Sequence, residues 1–141
     1  MRKVVVTGLG IVSCIGNNKD EALESLLNTK SGIVFSEEQK KYNFRSQVAG
    51  TIKNLNLDEH IDRKQKRFMG GGSAYNFISL KEAIKESGLE EKDISNEKTG
   101  IIMGSGGPSI KNVVYAVDTT RKFAPKKMGP YIVPRTMAST C

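Results

Sequence analysis

Apolar and polar positions follow two alternating periods along the chain. Residues 3–7 form an unbroken, β-branched apolar run closed by Gly8-Leu9-Gly10, which predicts a strand covered on both faces and leaving through a tight turn. Asn18 is placed to cap the next segment with Glu21 as its reciprocal partner. Ala22, Leu23, Leu26 and Leu27 then recur at helical spacing, predicting a helix over 19–28. From 31 to 63 no period holds, and short alternating pieces near 45–52 leave room for one hairpin arm, so 30–70 reads as a loop-rich insertion. Ala74, Phe77, Ile78, Leu80 and Ile84 mark the longest helix, over 73–87, stopped by Gly88 in the position after its last turn.

A second apolar run at 99–103 predicts another buried strand. It is closed by Gly104-Ser105-Gly106-Gly107 and followed by a helix starting over 110–117. Strand, glycine turn and helix thus occur twice, the pattern of an α/β layered fold with a mostly parallel sheet, in which ligands gather at the carboxyl ends of the strands. Residues 137–140 read as the opening of a further helix, with Pro134 suited to its first turn and no helix body after it. The natural domain is therefore expected to be longer than these residues.

Composition narrows the class. With 141 residues, 38% of them apolar and 26% charged, the chain has the make-up of one globular domain rather than of a disordered segment. Its 14 glycines cluster after apolar runs and show no period, which excludes a collagen-like repeat. The net charge of +7 implies an acidic partner. Cys14 and Cys141 form neither a metal pair nor a disulfide framework, so a reducing cytoplasm is expected, with no structural zinc. No apolar stretch approaches a membrane span, because Gly8, Gly10 and Gly16 interrupt the longest one. The segment from Met1 to Cys14 imitates a short lipoprotein signal, but its β-branched, glycine-punctuated run is wrong for a signal core.

The candidate chemistry is thin. Gly8-x-Gly10 after a strand begins the dinucleotide fingerprint, yet the third glycine position is Ser13 and no strand ends in Asp or Glu near residue 30. A tight turn accounts for it better. The segment 104–109 has neither Lys nor Arg to reach a phosphate, although Gly106 and Gly107 leave room for a ligand or a second backbone, and a simple turn accounts for them equally well. His60 sits among Asp58, Glu59 and Asp62 as a solvated imidazole. Cys14 lacks an electropositive neighbour and reads as a buried inert thiol, and Cys141 has no following helix to activate it. Basic residues gather at Arg63-Lys64-Gln65-Lys66-Arg67, at Arg121-Lys122 and at Lys126-Lys127, with too few aromatics for nucleic-acid stacking. Two rivals therefore stand beside any enzymatic reading: an independent dinucleotide-binding α/β domain and a basic nucleic-acid-binding module.

Several segments in order resemble the N-terminal part of the β-ketoacyl-acyl carrier protein synthases, thiolase-fold condensing enzymes, most closely those of the synthase I type. They are Val4-Val5-Val6-Thr7-Gly8-Leu9-Gly10-Ile11-Val12-Ser13 with Ile15-Gly16-Asn17-Asn18, Ser31-Gly32-Ile33, Ile61-Asp62-Arg63-Lys64 with Arg67-Phe68-Met69, Gly104-Ser105-Gly106-Gly107, and Gly129-Pro130-Tyr131 with Met137-Ala138-Ser139-Thr140. The resemblance spans residues 1–141 and implies the N-terminal portion of a thiolase-like layered fold. It also implies a decarboxylating Claisen condensation of fatty-acid synthesis that needs no cofactor or metal.

The cysteine nucleophile and two histidines of that family have no counterpart here, so no residue is expected to be catalytic and the chain alone is expected to be inactive. Thr140-Cys141 stands where the family continues Val-Ser-Ala, so Cys141 does not match the nucleophile, and Gly70 and Gly71 depart from the family's usual acidic residue. By position, Gly106, Gly107 and Met137 correspond to the end of the acyl pocket at the interface of the homodimer the family forms. Arg63, Lys64, Arg67, Lys126 and Lys127 resemble the basic patch that receives the acyl carrier protein. Neither a nucleic-acid partner nor a membrane span is implied.

Overall fold

The computed structural model describes residues 3–140; Cys141, the thiol weighed as a nucleophile, and Met1 and Arg2, which open the signal-like stretch, lie outside the described residues. In chain order the elements are α1 (Lys19–Leu27), β1 (Ile33–Phe35), α2 (Glu37–Lys41), β2 (Val48–Gly50), α3 (Leu57–His60), α4 (Arg63–Lys66), α5 (Gly71–Ser87), α6 (Glu91–Ile94), α7 (Ile110–Lys122) and α8 (Ile132–Thr136). Single 3-10 turns cover Pro125–Met128 and Ala138–Thr140. The chain divides into two units. The first takes the residues up to Leu55 with Ser79–Gly88, the second Asn56–Ile78 with the residues from Leu89 onward.

In the first unit α1 begins as the sequence predicts. The Asn18 side chain accepts the Glu21 N–H at 2.9 Å and donates back to Glu21 Oε1 at 3.0 Å, so two otherwise unsatisfied groups are paired locally. Ala22 is buried, whereas Leu23, Leu26 and Leu27 of the same apolar face stay exposed. Strands β1 and β2 pair antiparallel, Ile33 opposite Gly50 and Phe35 opposite Val48. The connection between them carries α2, capped by the Ser36 hydroxyl, which accepts the Gln39 N–H at 3.2 Å. The end of α5 packs here too. Gly88 follows it with φ of +69°, the left-handed conformation that glycine takes without a Cβ penalty and that stops a helix.

The second unit holds most of the small core: Ile61, Ala74, Ile78 and Ile132 are buried, as are the polar Ser73 and Thr119. Asp62 starts α4 by accepting the Lys64 N–H at 2.7 Å, and Glu90 and Asp93 form a reciprocal box at the start of α6. Helix α7 begins where the sequence predicts and runs on to Lys122.

Three expectations are corrected. Residues 3–7 and 99–103 are not buried strands: neither run has a ladder partner among the described residues, and Val4 is 94% and Ile102 99% exposed. A strand is defined by its neighbour, and a parallel strand needs a crossover-connected one that no described segment supplies; the sheet that does form here is antiparallel. Residues 137–140 do not open one helix. The helix starts earlier, at Ile132, where Pro134 sits in a first turn that needs no N–H from it, and Met137 then turns extended (φ −78°, ψ 132°) ahead of a 3-10 turn. Cys14 is half-buried, not buried, with its sulfur where Cβ atoms on Gly32 and Gly50 would stand.

Candidate functional site

The two glycine turns behave in opposite ways. At the first, side chains on Gly8 and Gly10 would collide with the backbone carbonyls of Ala83 and Ser79 on α5, so these glycines permit a close crossing of backbone on helix. Two carboxylates of α5, one turn apart, complete the joint. Glu86 Oε2 accepts the Leu9 N–H at 2.7 Å and Glu82 Oε2 the Ile11 N–H at 3.0 Å, while Glu82 Oε1 accepts the Lys19 N–H at 2.8 Å. The Lys19 ammonium pairs with Glu86. That hydrogen bond, then the one from Leu9, holds the Glu86 carboxyl below the ordinary glutamate range, and Glu86 in turn raises the Lys19 ammonium. The space a phosphate would need above Gly8 and Gly10 is filled by the helix.

At the second turn, Cβ atoms on Gly104, Gly106 and Gly107 would meet nothing within 4 Å. Gly107 and Met137, assigned together only by resemblance, line one cavity of about 180 Å³; Gly106 is not among its lining residues. Ser105 of the turn and Pro108 and Ser109 after it line the cavity too, as do Arg135 of α8 and Gly70, Gly72 and Ser73 at the start of α5. The last three were not legible as pocket residues. The signal that could have found them is the unbroken run Gly70-Gly71-Gly72 at a helix start, which no turn chemistry demands.

The basic residues lie in this same second unit. Arg63 and Lys64 stand exposed on α4, Lys126 and Lys127 exposed on the 3-10 turn, and none of the four makes an ion pair among the described residues. Lys66 is paired with Asp58 at 2.8 Å. Arg67 is set differently: its guanidinium lies 5.9 Å from the Tyr131 ring, which Phe68 meets edge-on at 5.1 Å, and its carbonyl accepts Arg135 Nε at 2.8 Å. His60 is exposed at the end of α3. Among the described residues no His, Cys, Asp and Glu cluster could hold a metal ion, and no helix is long and apolar enough to cross a membrane.

Comparison with known proteins agrees across the chain. The family profile described as "Beta-ketoacyl synthase, N-terminal domain" matches residues 1–141. The chain is 51% identical to 3-oxoacyl-[acyl-carrier-protein] synthase 1 of Haemophilus influenzae, covering 99% of this chain and 34% of that one, and 46% identical to the protein of the same name from Escherichia coli K12, again over 99% and 34%. It therefore spans about a third of the length of the curated relatives it matches. Among solved structures, a β-ketoacyl synthase from Burkholderia phymatum superposes with a TM-score of 0.80 at 21% identity, over 99% of this chain and 35% of that one. A complex described as a type II PKS acyl-carrier protein with its ketosynthase superposes with a TM-score of 0.73 at 19% identity, over 94% and 34%. The α/β layered, thiolase-like fold expected from the sequence is the fold of these ketosynthases.

Proposed function

Since the chain belongs to the β-ketoacyl synthase family, as its N-terminal domain, we propose that it serves in a 3-oxoacyl-[acyl-carrier-protein] synthase of the synthase I type. In that reaction an acyl group is held as a thioester on a cysteine. Malonyl-carrier protein loses carbon dioxide, and the carbanion left behind attacks the acyl carbonyl; a carbon–carbon bond forms and the cysteine leaves as thiolate. Among the described residues no group fits the nucleophile or the enolate-stabilising bases: Cys14 is half-buried against Gly32 and Gly50, and His60 is exposed.

What these residues contribute is reception and fit. Gly107 and Met137 form the end of the acyl pocket, with Gly106 only adjoining it in the chain, and Arg63, Lys64, Arg67, Lys126 and Lys127 receive the acidic carrier protein, in the cytoplasm and in a homodimer. The observation that carries this is the single cavity on which Gly107 and Met137 converge. The dinucleotide alternative loses its footing because Gly8 and Gly10 are pressed against α5.

The test is a replacement. The 141-residue chain alone should release no carbon dioxide from malonyl-carrier protein. Exchanged for the corresponding third of the Escherichia coli synthase, it should give an enzyme that condenses acyl and malonyl thioesters. A folded but inactive exchange, or turnover by the chain alone, overturns the assignment.

A further inference from the structure

Resting on that acyl-pocket assignment, we propose that Gly72 is a further wall of the pocket that Gly107 lines, and that its missing side chain sets how far an acyl chain reaches. Gly72, Gly107 and Met137 line the same cavity of about 180 Å³. Glycine favours a helix less than alanine does, so its presence in the first turn of α5 calls for a reason. Conformation supplies none, because the positive-φ glycines among the described residues are Gly88 and Gly129. Packing supplies none either. A Cβ on Gly72 would meet nothing within 4 Å, whereas one on Gly70 would stand 3.0 Å from both the Ser109 Cβ and the Arg135 carbonyl oxygen. Gly70 is thus needed for close approach, and Gly72 is not. What a side chain at 72 would consume is cavity.

The character of the cavity fits a hydrocarbon end. Several of its polar atoms are paired within the protein: Ser105 Oγ donates to the Gly107 carbonyl at 2.8 Å, Ser109 Oγ accepts from Asn112 Nδ2 at 2.8 Å, and Arg135 Nε donates to the Arg67 carbonyl at 2.8 Å. The same lining includes Pro108 and Met137, the latter a soft side chain that adapts to an apolar guest.

The experiment is a graded series, Gly72→Ala, Gly72→Val and Gly72→Leu. It is read by kcat/KM for a short and a long acyl-carrier protein in the exchanged synthase, and by binding of short and long acyl-pantetheines to the 141-residue chain. Apolar pockets discriminate about tenfold or more per methylene, so the long-to-short ratio should fall by about tenfold or more at Gly72→Leu while the short substrate is retained. Gly72→Ala guards against a folding failure, since it favours the helix and should lower the ratio in the same direction. A purely structural glycine would change stability and leave the ratio untouched. If the exchanged enzyme condenses and the ratio stays flat, the role of Gly72 is overturned and the synthase assignment stands. If it does not condense but acyl-pantetheine binding still shortens with side-chain size at 72, the pocket stands and the synthase assignment falls. No acyl-pantetheine binding by the unsubstituted chain overturns the proposal.

Discussion

The two apolar runs closed by glycines look interchangeable in sequence and do opposite work. Gly8 and Gly10 bring backbone into contact with α5, and the two N–H groups beside them, on Leu9 and Ile11, are taken by Glu86 and Glu82. Cβ atoms on Gly104, Gly106 and Gly107 would meet nothing within 4 Å, and Gly107 lines a cavity. A glycine-rich turn after an apolar run therefore has two physical meanings: room for a neighbouring backbone, or room for a guest. Only the surroundings tell which. The substitutions that follow probe that contrast.

The largest effect belongs to the packed turn. Gly8→Val or Gly10→Val drives a branched side chain into a helix carbonyl, which cannot swing aside as a flexible side chain would, and should cost about 3 kcal/mol or more. Urea unfolding monitored by circular dichroism measures it. A midpoint unchanged by either substitution would mean the crossing is loose and the contrast false.

Next comes the carboxylate pair. Glu82→Gln with Glu86→Gln keeps the shape and removes the charge, so the Leu9 and Ile11 amides should exchange with deuterium several-fold faster while the α7 amides keep their rates. The pH dependence has a fixed sign. Glu86 is held below its ordinary range, so its contribution is complete above about pH 4 to 5 and is lost as pH falls through the lowered value. Lys19 is raised, so its contribution is complete below about pH 10 and is lost as pH rises through the raised value. Protection of the Leu9 amide, taken relative to its intrinsic exchange rate at each pH, should therefore fall at both ends of that window and stay level between.

How much of this was legible follows the range of each interaction. The Asn18–Glu21 cap, the stop at Gly88 and the start of α7 are settled within a turn or two of chain, and the sequence displays them. The apolar runs at 3–7 and 99–103 are legible as strand material, but a ladder is a property of two segments, and no local pattern names the second. The carboxylates that hold Leu9 and Ile11 lie more than 70 residues away, beyond any periodicity. Gly107 and Met137 were joined by resemblance alone, and Gly72 was visible only as part of an odd glycine run.

A smaller effect concerns the basic residues beside the open turn. Arg63→Glu with Lys64→Glu should weaken carrier-protein binding and flatten its salt dependence, each exposed charge adding about 0.2 to 1 kcal/mol. Titration at low and high ionic strength checks this; an unchanged slope would reduce the patch to solvated surface. The smallest effect is at Gly106→Ala, which meets open space and should shift stability by no more than about 0.5 kcal/mol in a thermal melt.

The contrast between the turns is tested most directly by one paired measurement: the same minimal change, Gly10→Ala and Gly107→Ala, in the same chain, compared by urea midpoint. The packed turn predicts a clear drop for Gly10→Ala, because even a methyl group meets the Ser79 carbonyl, and a midpoint for Gly107→Ala that matches the parent or exceeds it. Equal losses at both positions would contradict the account, since they would make the second turn a packing joint like the first and leave the cavity beside Gly107 without a purpose.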